Sequence, residues 1–503
     1  MATVSHNQRD KKRIRVVVVG AGSAGAVIAA RLSQHSTVDV LLLESGPDVS
    51  SAHQEMGIQS TDFVDALEVE KSNVRIPVRR SAAQGVSEYV RGTGTGGSSL
   101  VNAMVGMWGM ASDYDRWERD LGCVGWSWRD VAPVFAHLPI PLHTTLRHEW
   151  GNVDRALVRA ATDLGYEQRD DLSMAPRCAR GVGSVSLTCA DGRRASVNDV
   201  YLEPARSRLN LEIRGNSAVA RLNLNGTDVV GVHLVSGQDI DADVVVVCAG
   251  AIASPQILLR TKIQRRGIGR GVKDHPAVAF TLRLKDSSAA QFAVSTLLRA
   301  TSRPQTKNVK DGALYDGNIH LLPLNHTASK DRSHGAMFAA VMRVHSMGNI
   351  TVARSEQSSE QNSAEVFLNL LSDERDLHTM VEATSMLASM VDARSFAEIS
   401  DAVMCDDDGT PVSMLHGLTA DQMQTWLLGN VGSYSHIGCS NKMGALTDDD
   451  AVVDTRGKVI GYNNAWVCDA SIFPDLPTGN THLPVVMMAE RISQRISETL
   501  QST

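Results

Sequence analysis

The chain has 503 residues, 43% hydrophobic and 21% charged, which excludes a disordered or collagen-like protein and supplies more apolar material than one compact core holds. Its net charge of −7, with both signs interspersed, lacks the basic footprint that nucleic-acid binding requires. Seven cysteines without a CxxC pair or His/Cys ligand spacing point to free thiols in a reducing cytoplasm, and no metal site is expected. The acidic runs 406–408 and 448–450 read as solvated loops, since adjacent carboxylates point apart.

The first informative element follows Lys11-Lys12-Arg13, where a charged and then apolar stretch imitates a secretory signal. Glycine spacing explains it better. Ile14 to Val19 is a β-branched apolar run suited to a strand buried on both faces. Gly20-Ala21-Gly22-Ser23-Ala24-Gly25 follows, and then a helix expected over Ala24 to Gln34. In this arrangement the first glycine permits the turn and the second lets a pyrophosphate approach the backbone. The third lets helix and strand pack, with the phosphates at the helix N-terminus. A second strand, Val38 to Leu43, ends in Glu44, 19 residues beyond Gly25, where an acid suits a ribose diol. This motif alone leaves NAD and FAD both open.

Further along, Arg91-Gly92-Thr93-Gly94-Thr95-Gly96-Gly97-Ser98-Ser99-Leu100-Val101-Asn102 leads to Asp113-Tyr114-Asp115-Arg116-Trp117. Its glycines and hydroxyls let main-chain N–H groups crowd against a flat ring and an anionic phosphate. A strand over Val244 to Cys248 precedes Ala249-Gly250-Ala251-Ile252-Ala253-Ser254-Pro255. Alternation over Val278 to Leu284 and the run Val366 to Leu371 are strand-like. Asp373 to Phe396 reads as an amphipathic core helix with Leu377, Met380, Val381, Ala383, Met386, Leu387, Met390 and Val391 on its apolar side. Ser355 to Ser363 reads as exposed turns. Val105, Met107, Trp108 and Trp426 suit either an apolar substrate site or the core. No apolar run approaches the ~20 residues of a transmembrane span, no GxSxG elbow suggests a serine hydrolase, and no HExxH suggests metal catalysis.

Three of these segments resemble the glucose-methanol-choline (GMC) oxidoreductases, FAD enzymes that oxidise alcohols. The 91–117 segment is similar to RGxxxGGSSxxN…DYDxW, and residues 249–259 to AGAIxSPxLL. Ser435-His436-Ile437-Gly438-Cys439-Ser440-Asn441-Lys442-Met443-Gly444, with Asp469-Ala470-Ser471 and Gly479-Asn480-Thr481-His482, is similar to the C-terminal elements. The chain departs from the family pattern at Thr261-Lys262-Ile263-Gln264 and at Cys439-Ser440-Asn441.

The resemblance implies an α/β fold: a Rossmann-like FAD-binding lobe built from residues 12–117, 177–276 and 431–503, and an α+β substrate lobe with an antiparallel sheet from 118–176 and 277–430. It implies FAD contacts from Gly20, Gly22, Ser23, Ala24, Gly25, Glu44, Ser45, Arg91, Gly96, Gly97, Ser98, Asn102 and Ala103. Further along, Val219, Ala249, Gly250, Asp469, Ala470, Asn480 and Thr481 join them. Asn102 would lie beside the reactive edge of the ring, and Val101 replaces the histidine that carries covalent flavin in some members.

His436 and Asn480, 44 residues apart, match the catalytic pair. A near-neutral imidazole suits a base that takes the hydroxyl proton of an alcohol as hydride passes to flavin N5, and Asn480 would hold that hydroxyl. His275 and His482 are read as ordinary packed or surface histidines, with His482 a second candidate contact and His275 following an Asp that the resemblance places near the cofactor. Oxygen and another redox carrier both stand as acceptors, because the short substrate regions also resemble mycofactocin-associated GMC dehydrogenases. A hydroxynitrile-lyase-like flavoprotein and a non-catalytic redox partner are the alternatives.

Overall fold

A computed structural model describes residues 13–303, 316–352 and 364–502; the expected turns at 355–363 and the first two basic residues of the signal-like stretch lie outside them. The chain is α/β, as expected. Five parallel strands form the nucleotide-type sheet in the order Leu211–Arg214, Val38–Leu43, Ile14–Val19, Val244–Val247, Ala465–Val467. The central pair sets Val16 to Val19 against Val244 to Val247 in register, with these eight valines at most 5% exposed. β-Branched side chains on both faces of a covered parallel sheet explain why these runs are so uniformly apolar.

The helix after the turn spans Gly25–Leu32, shorter at both ends than expected, and packs against the long C-terminal helix His482–Gln501. Strands Val219–Asn225, Asp228–Leu234 and Asp239–Asp241 form an antiparallel meander whose Leu222, Val229 and Val232 join the core of the parallel sheet. Cys123, Trp126, Val131 and Phe135 belong to that same core.

A larger, mainly antiparallel sheet runs Ser400–Met404, Pro276–Leu284, His334–Val341, Ile319–Leu324, Thr296–Ala300, Gly181–Ser184, Gln168–Arg169. Its core face carries Phe280, Leu298, Leu321 and Ala339, which cluster with Met380, Ala383, Leu387 and Met390 of the helix Glu374–Val391. The Met-rich stripe is therefore core. That helix stops before Phe396, which belongs to a separate turn, Arg394–Ala397. The strand expected over Val366 to Leu371 ends at Phe367, since Asn369 and Leu371 have φ of 53° and 60°, values a strand cannot accommodate. Trp108 stacks on Phe135 at 5.4 Å, and Trp426 packs against the core of the antiparallel sheet, each half-buried at the edge of a core. Among the described residues no helix is long and apolar enough to cross a membrane.

Candidate active site

The two glycine-rich segments meet. Gly20 has φ 97°, and a Cβ there would lie 2.6 Å from the Cys248 carbonyl oxygen. At Gly25 a Cβ would lie 1.8 Å from the carbonyl oxygen of Gly20, so helix and turn pack at backbone contact. Gly97 sits against Gly22, where a Cβ would come 2.7 Å from the Gly22 Cα, and the Gly96 N–H donates to the Ala21 carbonyl at 2.9 Å. Glu44, 6% exposed, clasps the two segments: its carboxylate accepts from the N–H groups of Ala21 (2.8 Å), Gly46 (2.9 Å) and Gly94 (3.1 Å) and from the Ser45 hydroxyl. The acid that the spacing assigned to a ribose diol is thus also the tie between the loops. Val219 opens its strand two residues past Ser217, whose N–H donates to the Glu44 carbonyl.

Three features of this junction call for a ligand. Gly22 has room for a side chain, its nearest neighbour to a built Cβ being the Gly97 Cα at 3.9 Å. Packing does not require that glycine, whereas close approach of a pyrophosphate does. Arg194 donates to the carbonyls of Asn102 and Ser99 and to Asn102 Oδ1, yet its buried Nε and Nη2 have no partner among the described residues. His482 bonds the Ser23 hydroxyl through Nδ1 at 3.2 Å and leaves Nε2 buried and without a partner among the described residues. Burial lowers Arg194 to about 10, and burial with Arg194 nearby lowers His482 to about 4. Buried donors without acceptors are costly, and the phosphates and carbonyl oxygens of FAD would satisfy them. The residues present fit the cofactor.

On the other side, Asp469 accepts from the Gly250 N–H at 2.9 Å, the Ser254 hydroxyl at 2.6 Å and the Ser471 N–H at 2.8 Å. This ties the helix Gly250–Thr261 to the Ala470 turn, and Ala249 closes the junction by donating its N–H to Ser254. The departures from the family pattern find local partners. Lys262 ends that helix with φ 62°, and the Ser440 hydroxyl donates to the Ala251 carbonyl. Asn441 Nδ2 donates to Ser471.

His436 is held from three sides. Its N–H donates to Asp274 at 2.8 Å, Nε2 lies 3.2 Å from Asn480 Nδ2, and Nδ1 lies 2.9 Å from Nδ1 of His275. Asp274, fully buried, also accepts from the Tyr89 hydroxyl at 2.7 Å and from Ser433, while Tyr89 takes the Ile437 N–H. Asn480 and Thr481 stand at the N-terminus of the helix His482–Gln501. Arg91, expected at the cofactor, reaches the Ser435 carbonyl beside His436. Burial first, then His275 and Arg91, hold His436 well below the ordinary imidazole value, so the ring is neutral at pH 7.

His275 is not the ordinary packed histidine the sequence suggested, since it touches His436 directly. Burial lowers it to about 3. Arg194 belongs to no recognisable sequence motif, and only the fold brings its guanidinium against Asn102.

A dinucleotide turn on a parallel sheet, a second glycine loop against it, and a buried His436 bonded to a half-buried Asn480 are the layout of a flavin-dependent oxidoreductase. Residues 14–277 match the N-terminal part, and residues 344–489 the C-terminal part, of the GMC oxidoreductase family. An oxygen-dependent choline dehydrogenase of Paraburkholderia phytofirmans is 28% identical, covering 95% of this chain and 93% of the relative. A 5-(hydroxymethyl)furfural oxidase of a Methylovorus species is also 28% identical, with coverages of 95% and 98%. The crystal structure of pyridoxine 4-oxidase from Mesorbium loti superposes with a TM-score of 0.83 at 24% identity, over 97% of this chain and 99% of that one. The chain belongs to the GMC oxidoreductase family and is an FAD-dependent enzyme.

Proposed function

We propose that the protein oxidises the CH–OH group of a small alcohol, with His436 as the base and Asn480 as the group that orients the hydroxyl. The relatives named for choline and for hydroxymethylfurfural support an alcohol as substrate. The observation that carries the reading is the hydrogen-bond pattern around His436. The Asn480 amide can only donate to Nε2 if Nε2 holds a lone pair, which puts the ring proton on Nδ1, where it donates to His275 Nδ1. Nε2 then faces the Asn480 side as a neutral acceptor. The lowered basicity of the buried ring keeps it in that form.

FAD, when bound, supplies the hydride acceptor at N5. The remaining work falls to the chain. The hydroxyl takes the place of the Asn480 amide on Nε2, which then takes the hydroxyl proton, while Asn480 donates to the oxygen as charge develops on it and Asp274 fixes the His436 backbone. Electrons leave to oxygen or to another redox carrier, and the seven free thiols suit a reducing cytoplasm. Anaerobic addition of a substrate alcohol to the yellow holoenzyme should bleach the flavin with formation of the carbonyl product. Turnover without bleaching would instead indicate a lyase and overturn the reading.

A further inference from the structure

The antiparallel sheet has a second face, part of which packs on Met104, Val105 and Met107 through Leu322, Leu324 and Ala336. Register places Arg299 opposite His320, His320 opposite Ala340, and Ala340 opposite Ala277, so these four side chains share one face in a row across four strands. The row leads to the strand end that continues into His275. On the same face, one pleat along, Leu322 lies opposite Phe338, and Phe338 opposite Ala279. Tyr434 closes the group: it packs on Ala277, Ala340 and Met342, stands 6.4 Å from the Phe338 ring, and meets the His436 ring edge-on at 5.1 Å.

Exposure along this face is graded. Ala279 is exposed, Phe338 and Tyr434 are half-buried, and His320 is 1% exposed. This face, running from an exposed Ala279 to a buried His320 beside His436, offers a surface on which a substrate can lie.

At its buried end the polar atoms lack partners. Among the described residues, both ring nitrogens of His320 are buried without a hydrogen bond, and so is the Tyr434 hydroxyl. Buried polar atoms are paired in the great majority of cases, so three orphans on one face next to the base mark the position of a ligand. The cations nearest them are two arginines, while the acids Asp274 and Asp475 lie behind, against His436 and His275. Arg299, fully buried and donating to the carbonyls of Leu172, Ala175 and Cys178, stands beside His320, and Arg91 stands near His436. Burial, Arg299 and the other two histidines keep His320 neutral, with one N–H to give and one lone pair to receive. A cation would enter against Arg299, whereas an uncharged acceptor or donor meets a matching partner.

Resting on the alcohol-oxidation reading above, we propose that His320 and the Tyr434 hydroxyl receive a second, uncharged hydrogen-bonding group on the substrate. The enzyme is thereby specific for neutral aromatic alcohols that carry a phenol, ring nitrogen or carbonyl, over cationic amino alcohols and plain hydrocarbon alcohols.

The test uses the holoenzyme and two readouts. Equilibrium binding of product aldehydes is followed through the flavin absorbance, comparing para-hydroxybenzaldehyde and pyridine carbaldehyde with benzaldehyde. The rate of anaerobic flavin reduction is then measured with the corresponding alcohols and with choline. The functionalised aldehydes should bind at least about tenfold more tightly than benzaldehyde, because the bare ring leaves buried partners unpaired. Their alcohols should be the faster reductants, and choline should fail. Both H320F and Y434F should shrink the tenfold preference, and Y434F removes only one oxygen, so it guards against a folding failure in the other variant. Equal binding of the three aldehydes, absence of any spectral response, a preference that survives both variants, or efficient reduction by choline would each overturn the proposal. Selective binding without flavin reduction would leave this inference standing and sink the oxidation reading. Reduction without selectivity would do the reverse.

Discussion

Replacing His275 by phenylalanine isolates one contact at the candidate site. In the native protein the His436 Nδ1 proton has a partner 2.9 Å away, between rings that are fully buried at His275 and 8% exposed at His436. H275F keeps the ring volume but leaves that N–H without an acceptor, at a cost of about 1–3 kcal/mol. Moving the proton to Nε2 relieves this, and in doing so removes the lone pair the alcohol needs. If the whole penalty reaches the transition state, flavin reduction slows about 5- to 150-fold, since each 1.36 kcal/mol is a factor of ten. Single-turnover anaerobic stopped-flow measures it at saturating alcohol, with the flavin content and melting temperature of the variant as controls. His275→Asn, whose amide oxygen can stand near the position of Nδ1, should recover part of the rate. Reduction of H275F at the native rate, or H275N no faster than H275F, would refute the tautomer argument.

Gly25→Ala should yield protein without flavin or no soluble protein, because its Cβ would collide with the Gly20 carbonyl oxygen at 1.8 Å, whereas Gly22→Ala, which meets nothing closer than 3.9 Å, should fold and lose only FAD affinity; flavin absorbance and a melting curve separate the two. Asp274→Ala removes the acceptor of Tyr89, Ser433 and the His436 N–H, and should lower stability by about 3 kcal/mol or more, read by chemical denaturation, while also slowing flavin reduction. Buried neutral histidines make the fold acid-sensitive. His275 titrates at about 3 when folded but near 6.5 when unfolded, so as pH falls below 6.5 the unfolded chain takes up the proton first. Stability is complete above that value and drops by about 1.4 kcal/mol per pH unit from this ring alone. His320, His345, His436 and His482 act in the same direction. Melting temperature should fall steadily from pH 7 to pH 5, and a flat profile would contradict the neutral assignment.

The parts of the fold that were legible from sequence are those in which one short segment carries the whole constraint. Gly20, Gly22 and Gly25 sit within six residues, the first and third with steric duties in the fold and the second left open for a ligand; the alternating Val278 to Leu284 likewise announces its strand. The strands Ile319–Leu324 and His334–Val341 went unread because they are covered on most of their length and show no alternation, and the first contains Pro323. Helix ends were overrun for a related reason. Apolar residues continue to Phe396, yet the chain turns after Val391 to place that ring in the same core.

At the site, His436 and Asn480 were readable because the resemblance carried them. His275 was not, since its role lies in a contact across 161 residues that no spacing encodes. Arg194 is similar: only the fold shows its guanidinium against Asn102, 92 residues away. His320 stands furthest from sequence reach, because its unpartnered nitrogens matter only when the register sets it beside Arg299 and one strand from Ala340.

The central claim is that Nε2 of His436 takes the proton of a bound alcohol while FAD is reduced. Single-turnover reduction of His436→Ala holoenzyme, purified with its full complement of flavin, tests it most directly. The predicted result is a loss of about 10²- to 10⁴-fold in the rate of flavin bleaching with retained binding of the product aldehyde. Bleaching at the native rate by the same alcohol would contradict it.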